Sequence, residues 1–502
     1  MAVEAPYLPA RAQRSQNKLP RGTTSLFLSL AICTLLVAGF WIGDAETYEH
    51  RFLLPVWICG VLIGIDGINW FRGRLDIFSP IGIIGLLGFH FFFIAPLLHL
   101  HWDFWMTNTI GPADWRDWMG QMAWLNVAGL LVYRFSRRIF AKPKPVTSQM
   151  MWKIHSRNFS MAVAYALVGT ALLQLLIYVQ FGGIMGYIMA YEDGGAAFEG
   201  KGWLFMLSEK FPVIALMGYA FYARSKDKSA TWTTLLLLLV GYLILSLLFG
   251  GLRGSRSNTV WSLFWAVGII HFWIRPLPKR IFYAGVMFLV MFMYVYGFFK
   301  GGGSEAFMSV IQGREDIELV EERTGRTMEG ALLGDLGRTD IQAFVLWRME
   351  ISNYEPAKGR TYLGTAAILI PRGVWPDRPP NKVKEGTEIR MGMGTYIEGV
   401  MQSSRVHGLA GEAMLNFGPS AVPFFFVILG FVVGRTQRLL KSLHPDDMRW
   451  LMVPFLINLC FMVLIADSDN ILFFFIKNGA VPFVVILMGS RRYRMSTSRE
   501  GG

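Results

Sequence analysis

Apolar residues along this chain gather in long runs joined by short polar links. They neither alternate, as in a half-buried strand, nor form a single helical stripe. The runs cover 24–42, 52–70, 80–99, 119–136, 158–180, 204–223, 231–250, 259–274, 281–299, 420–437, 451–466 and 471–489. Each lies near the ~20 residues that a helix needs to cross the hydrocarbon of a bilayer. In lipid the backbone must satisfy its own hydrogen bonds, which selects helices. The pattern predicts an all-α polytopic membrane protein with about twelve transmembrane helices.

One stretch breaks the rhythm. Residues 300–419 contain charges of both signs, glycine clusters and a proline-rich segment, with no run long enough to span. Within it, 338–351 carries apolar residues at helical spacing (Ile341, Phe344, Val345, Trp347). Residues 362–370 are apolar but too short to cross, which suits a re-entrant or interfacial segment. The expected organisation is a polar cytoplasmic tail at 1–23, helices one to nine over 24–299, one large outer-face loop over 300–419, helices ten to twelve over 420–489, and a basic cytoplasmic tail at 490–502. A loop of such length usually carries function.

Charge sets the direction. With the N-terminus inside, the inner segments hold 27 Lys and Arg residues and the short outer loops hold five. Basic residues accumulate on the cytoplasmic side of membrane proteins, so both termini are expected inside a bacterial inner membrane. The first run lacks a small-residue cleavage site and reads as an anchor.

Composition agrees: 53% of residues are hydrophobic, 17% are charged, and mean hydropathy is +0.40. The net charge of +13 would suggest nucleic-acid binding in a soluble chain. Here the excess sits in short loops on one side, so no nucleic-acid partner is expected. Cys33, Cys59 and Cys460 each lie within an apolar run, which gives neither a disulfide framework nor metal-ligand spacing. No nucleotide-binding glycine loop of the Walker type is present.

Candidate chemistry gathers at the outer-face links. GGLRGSRSN at 250–258 sets Arg253 and Arg256 among Gly and Ser. Glycine lets backbone amides approach a ligand, and guanidinium forks match phosphate oxygens. The same residues also suit a tight turn against lipid phosphates. PRGVWPDRPPNKVK at 371–384 places Arg372, Arg378, Lys382 and Lys384 in a stiff loop, either a second anion clamp or a rigid structural turn. At 403–419, Arg405, His407 and Glu412 run towards the tenth span. His407 has the natural pKa of a general base, and Glu412 is placed to orient it or a sugar hydroxyl. Ionisable groups within or beside spans are functional candidates by default: Glu209 and Lys210, expected to neutralise each other, Lys477, expected to be paired, and Asp467 and Asp469, which precede it. Asp44, Glu46, Glu49 and His50 form either a solvated acidic loop or a weak metal site.

Three segments in order resemble the bacterial oligosaccharide repeat-unit polymerases, the Wzy-type O-antigen and exopolysaccharide polymerases. They are GGLRGSRSN at 250–258, YLGTAAILIPRGVWPDRPPNK at 362–382, and GEAMLNFGPSAVPFFFVILG at 411–430. FGGIMGYIMAY at 181–191 is a weaker echo. The resemblance implies a membrane glycosyltransferase (GT-C-like) architecture that joins polyprenyl-diphosphate-linked oligosaccharides into a surface polysaccharide on the outer face. It implies no cofactor and no metal. Its partners would be membrane lipids and, in the same pathway, a flippase and a chain-length regulator. By that resemblance Arg253 and Arg256 hold the diphosphate and stabilise it as leaving group, with Arg372 and Arg378 in the second clamp. His407 is the base for the acceptor hydroxyl, and Glu412 positions that hydroxyl or His407. Related O-antigen ligases share these needs, so a ligase-like transferase is one alternative. A lipid-linked glycan transporter or flippase is another.

Overall fold

A computed structural model describes residues 22–43, 52–105, 110–142, 148–192, 198, 202–226, 230–250, 252, 256–314, 316–324, 327–352, 354–370, 374–403 and 405–496. Helices dominate. In chain order they are α1 (Gly22–Gly43), α2 (Leu53–Phe71), α3 (Pro80–His101), α4 (Trp115–Phe140), α5 (Ser156–Gln180), α6 (Ile184–Glu192), α7 (Gly202–Ser208), α8 (Phe211–Ser225), α9 (Trp232–Leu248), α10 (Arg256–Ile269), α11 (Lys279–Ile311), α12 (Ile317–Thr324), α13 (Thr339–Ile351), α14 (Arg360–Ala367), α15 (Lys382–Met391), α16 (Gly408–Phe417), α17 (Val422–Ser442), α18 (Val453–Ile465) and α19 (Ser468–Gly489). Among the described residues, seven spans are long and apolar enough to cross a membrane: α1, α2, α3, α5, α7 with α8, α17 and α19. Three shorter apolar helices, Trp232–Leu248, Val260–Ile274 and Val453–Ile465, accompany them. The remaining predicted runs, 119–136 and 281–299, fall within α4 and α11. The helix of α11 continues to Ile311, so the polar segment after it begins later than the expected boundary at 300.

Helices α4 and α17 pack closely along their length. A Cβ on Gly430 would lie 1.9 Å from Ser136 Oγ, and one on Gly434 would lie 2.9 Å from the Arg137 carbonyl. Two small residues four apart on one face let the backbones meet, the usual device where lipid removes the hydrophobic drive between helices. Beside this seam α4 is tied to α2 by charge. Arg137 donates to Asp66 through Nη1 at 2.5 Å and Nη2 at 3.3 Å, and Nη1 also reaches Tyr133 Oη at 3.0 Å. Both partners are buried, so neither charge is left bare in an apolar surrounding.

The basic links meet at one end of the bundle. Lys279 donates to the Trp70 and Phe71 carbonyls, Arg275 to Ala230 O (3.1 Å), Arg224 to Asp446 (2.7 Å) and Arg449 to Met150 O (2.7 Å). Strand β1 (Ser148–Ile154) then pairs antiparallel with β2 (Ser490–Ser496), from Ser148 opposite Ser496 to Ile154 opposite Ser490. These contacts form a continuous chain through the links around 71–79, 275–280, 224–230, 438–450, 148–157 and 490–496. All six are segments that charge assigns to one side.

Glu209 pairs with Lys477 on α19 at 2.6 Å, and Lys210 donates to Asn478 Oδ1 at 2.7 Å. The 300–419 segment also enters the bundle. In α13, residues 339–346 are all buried, and Thr339 and His90 link the segment to the middle of α3 through Phe91 O and Leu332 O.

The seam yields a test. Gly430→Leu should lower stability by about 1–3 kcal/mol through overpacking, whereas Gly39→Leu, where a Cβ meets nothing within 4 Å, should not. Thermal unfolding of the detergent-solubilised chain checks both, and equal midpoints for the two variants would refute the packing argument.

Candidate active site

The turn between α18 and α19 carries Asp467, whose side chain is fully buried in an extended backbone (φ −82°, ψ 163°). Its Oδ1 accepts from the amides of His407 (2.9 Å) and Gly408 (2.8 Å), the first free N–H groups of α16. Its Oδ2 accepts from Lys382 Nζ at the start of α15. The same ammonium donates to Arg405 O at 2.8 Å. The backbone turns into α16 at Gly408, where φ is +71°, a conformation glycine adopts without a Cβ penalty.

Glu412, one turn into α16, serves the next helix start. Its Oε2 accepts from Ser468 N (2.6 Å), and its Oε1 accepts from Ser468 Oγ (2.6 Å) and Thr361 Oγ1 (2.8 Å). Asn416, a turn later, donates to Thr361 Oγ1 (2.7 Å) and accepts from the Gly359 amide (3.1 Å), which fixes the start of α14. Asn381 donates to Asp469 at 2.7 Å. Three short helices, α14, α15 and α16, and the head of α19 therefore meet around two carboxylates.

His407 lies among them, 1% exposed. Its Nδ1 is 3.8 Å from Asp467 Oδ2, and neither ring nitrogen has a hydrogen-bond partner among the described residues. The ring occupies space left by Gly386 on α15, where a Cβ would stand 2.6 Å from His407 Cε1. Its carbonyl is held by Gln342 Nε2 of α13 at 3.0 Å. Buried polar atoms are nearly always satisfied, so an imidazole with neither nitrogen bonded to a described residue stands out.

The two carboxylates are driven apart electrostatically. Burial raises the Asp467 carboxyl, but the Lys382 ammonium and the His407 side outweigh it and hold it well below the usual carboxylate range. Burial and then the Asp467 charge push Glu412 up from the ordinary 4.5 to about 7, against the hydrogen bonds from Ser468 and Thr361. Burial and the same two carboxylates raise the Tyr362 phenol. One acid stays ionised while its neighbour exchanges a proton near neutrality, the arrangement that general acid–base chemistry uses.

The predicted residues divide. His407 and Glu412 are brought to one cluster, but the acid facing His407 is Asp467, not Glu412. Arg378 Nη1 donates to the carbonyls of Ala367 (3.3 Å), Ile368 (3.1 Å) and Ile370 (2.9 Å), closing the C-terminal end of α14. Arg253, Arg372 and the acidic loop with Asp44, Glu46, Glu49 and His50 lie outside the described residues. Arg256 opens α10, with its side chain outside the description. Thr361 and Ser468 escaped the sequence reading, since a hydroxyl at a helix start is too common to signal a site. The order Asp467-Ser468 just before an apolar run is the signal that was available, as a helix cap.

Asp467→Asn keeps an oxygen for the two amides but sets an NH2 donor against the buried Lys382 ammonium. It should cost about 3–5 kcal/mol, read as a lower thermal midpoint in detergent, and an unchanged midpoint would refute the keystone role. For Glu412 the folded group binds its proton more tightly than the unfolded one. The stability it contributes is present at low pH and lost as pH rises from about 4.5 through about 7. Stability measured between pH 5 and 8 should fall in the native chain more than in Glu412→Gln, and parallel profiles would contradict the assignment. Comparison with protein-family models, with curated proteins and with solved structures finds no match for this chain.

Proposed function

We propose that this chain is a membrane polymerase that joins polyprenyl-diphosphate-linked oligosaccharide repeat units into a surface polysaccharide, working at the outer face of a bacterial inner membrane. In this reading all twelve apolar runs span the bilayer in a GT-C-like arrangement, and the basic end faces the cytoplasm with both termini. The observation that carries it is the convergence of two separate sequence landmarks. Asn381 and Lys382 end the 362–382 segment and bond to Asp469 and Asp467, Glu412 of the 411–430 segment bonds to Ser468, and His407 lies beside the same Asp467–Asp469 turn.

The chemistry follows from the residues. Glycosyl transfer needs a base for the acceptor hydroxyl and positive charge for the departing diphosphate. His407 takes the hydroxyl proton, and the adjacent Asp467 carboxylate stabilises the imidazolium that forms. The acceptor oxygen bonds to the anomeric carbon as the carbon–oxygen bond to the diphosphate breaks. The diphosphate leaves with that electron pair, and Arg253, Arg256 and Arg372 supply its counter-charge. Glu412 holds Thr361 and Ser468 and so positions the helices that frame the base.

The reading is tested on the surface glycans of a deletion strain, resolved on a gel after complementation. Deletion should leave single repeat units, the native chain should restore the ladder, and His407→Ala and Arg256→Ala should not. Loss of the base should slow transfer by about 10²–10⁴-fold. A ladder of normal length missing from its final acceptor would support a ligase instead. Single units accumulating on the cytoplasmic face would support a transporter.

A further inference from the structure

Strand β1 leads into α5 and β2 continues from α19, so their sheet stands at the basic end of the bundle. The His155 amide extends the ladder to Gly489 O at 2.9 Å. A ribbon of two strands is marginally stable in water, and a further strand or a covering element is what completes it.

One edge of this ribbon is already covered. In an antiparallel pair, successive residues turn their N–H and C=O groups alternately towards the partner strand and away from it. On β1, Met150 and Trp152 turn away: Arg449 Nη2 donates to Met150 O (2.7 Å), and the Trp152 amide donates to Asp447 Oδ2 (3.3 Å). Arg449 and Asp447 are themselves joined, through Nε at 2.9 Å and Nη2 at 2.7 Å. The register sets Met150 opposite Arg494 and Trp152 opposite Arg492. The backbone groups of Arg492 and Arg494 therefore point to the opposite edge, where among the described residues no backbone group bonds to them.

Charge is unbalanced at the same place. Neither strand contains an acidic residue. Lys153 stands directly opposite Arg491, and both are exposed. Like charges in opposite positions of a sheet are destabilising. Arg492, also exposed, lies over the Trp152 ring at 5.0 Å, and Arg449 lies over the same ring at 5.7 Å. The nearby carboxylate, Asp447, is already occupied by Arg449 and the Trp152 amide. Basic side chains on an edge strand discourage indiscriminate pairing. They do so while favouring a strand of opposite charge.

We infer that the open edge of β2 docks an extended acidic segment of a partner protein. The segment adds a third strand through main-chain hydrogen bonds to Arg492 and Arg494, and its carboxylates answer Lys153, Arg491 and Arg492. Strand addition takes affinity from the backbone and specificity from alternate side chains. Anionic lipid headgroups meet the same charge, but a phosphate surface offers no donor to the outward carbonyls. The inference does not depend on the polymerase reading.

The test measures fluorescence anisotropy of a short labelled peptide of alternating Glu and Thr, added to the full detergent-solubilised chain. The peptide should bind saturably and more weakly as salt rises, and a peptide of alternating Lys and Thr should not bind. Methylating every amide nitrogen of the acidic peptide removes its donors and keeps its charge, and should weaken binding by about tenfold or more. Arg491→Glu gives Lys153 an ion-pair partner, so the thermal midpoint should hold or rise while peptide affinity falls by about tenfold. Arg492→Pro removes an N–H that faces away from β1, and should weaken binding well beyond Arg492→Gln. Equal affinity for the methylated and unmethylated peptides would overturn strand addition. If phosphatidylglycerol vesicles also displace the peptide in that case, the patch belongs to lipid headgroups. A full chain that binds no acidic peptide refutes the inference outright.

Discussion

The carboxylate of Asp467 is fully buried, and the docking of the short helices of the polar segment follows from how it is satisfied. Its two oxygens accept from the start of α16 and from the ammonium at the start of α15, and its backbone caps α19. A buried carboxylate is tolerated only with a cation and several donors about it. Those donors come from chain segments roughly 60 and 85 positions away. Fixing one charge therefore fixes the docking of two short helices onto the bundle. Glu412 repeats the logic one turn along, capping α19 through Ser468 while holding Thr361 of α14.

This economy explains why the site is poised. Asp467, already compensated, keeps its charge. Glu412, denied a cation and placed beside that charge, is drawn towards the neutral form. His407 lies against the charged member and has both nitrogens open. A network that builds the fold thus also separates the proton affinities of its acids, which is the precondition for moving a proton at neutral pH.

The membrane half obeys a different constraint. In an apolar medium, helices associate through close backbone approach and through paired polar groups. Gly430 and Gly434 against α4 illustrate the first, and the Arg137–Asp66 and Lys477–Glu209 pairs illustrate the second. The two halves meet where α13 enters the bundle, so the large polar segment is anchored in the same core that holds the spans.

Hydrophobic length and the sorting of charge are properties of short segments, and they add along the chain. For that reason the sequence by itself determined where the long helices lie and which links gather at one end: the pairing of β1 with β2 and the reach of Arg449 to Met150 follow the distribution of Lys and Arg. It also marked His407, Glu412 and Lys382 as chemistry-bearing residues. Only the tertiary structure decided their partners. His407 faces an acid 60 positions away and not the one five positions along, because residue 412 lies beyond the first turn of α16 while Asp467 sits at its beginning. Likewise Glu209 meets Lys477 across helices, and Arg378 spends its guanidinium on backbone carbonyls. Pairing of this kind depends on distance in space, and neither the residue type nor its neighbours in the chain encode that distance.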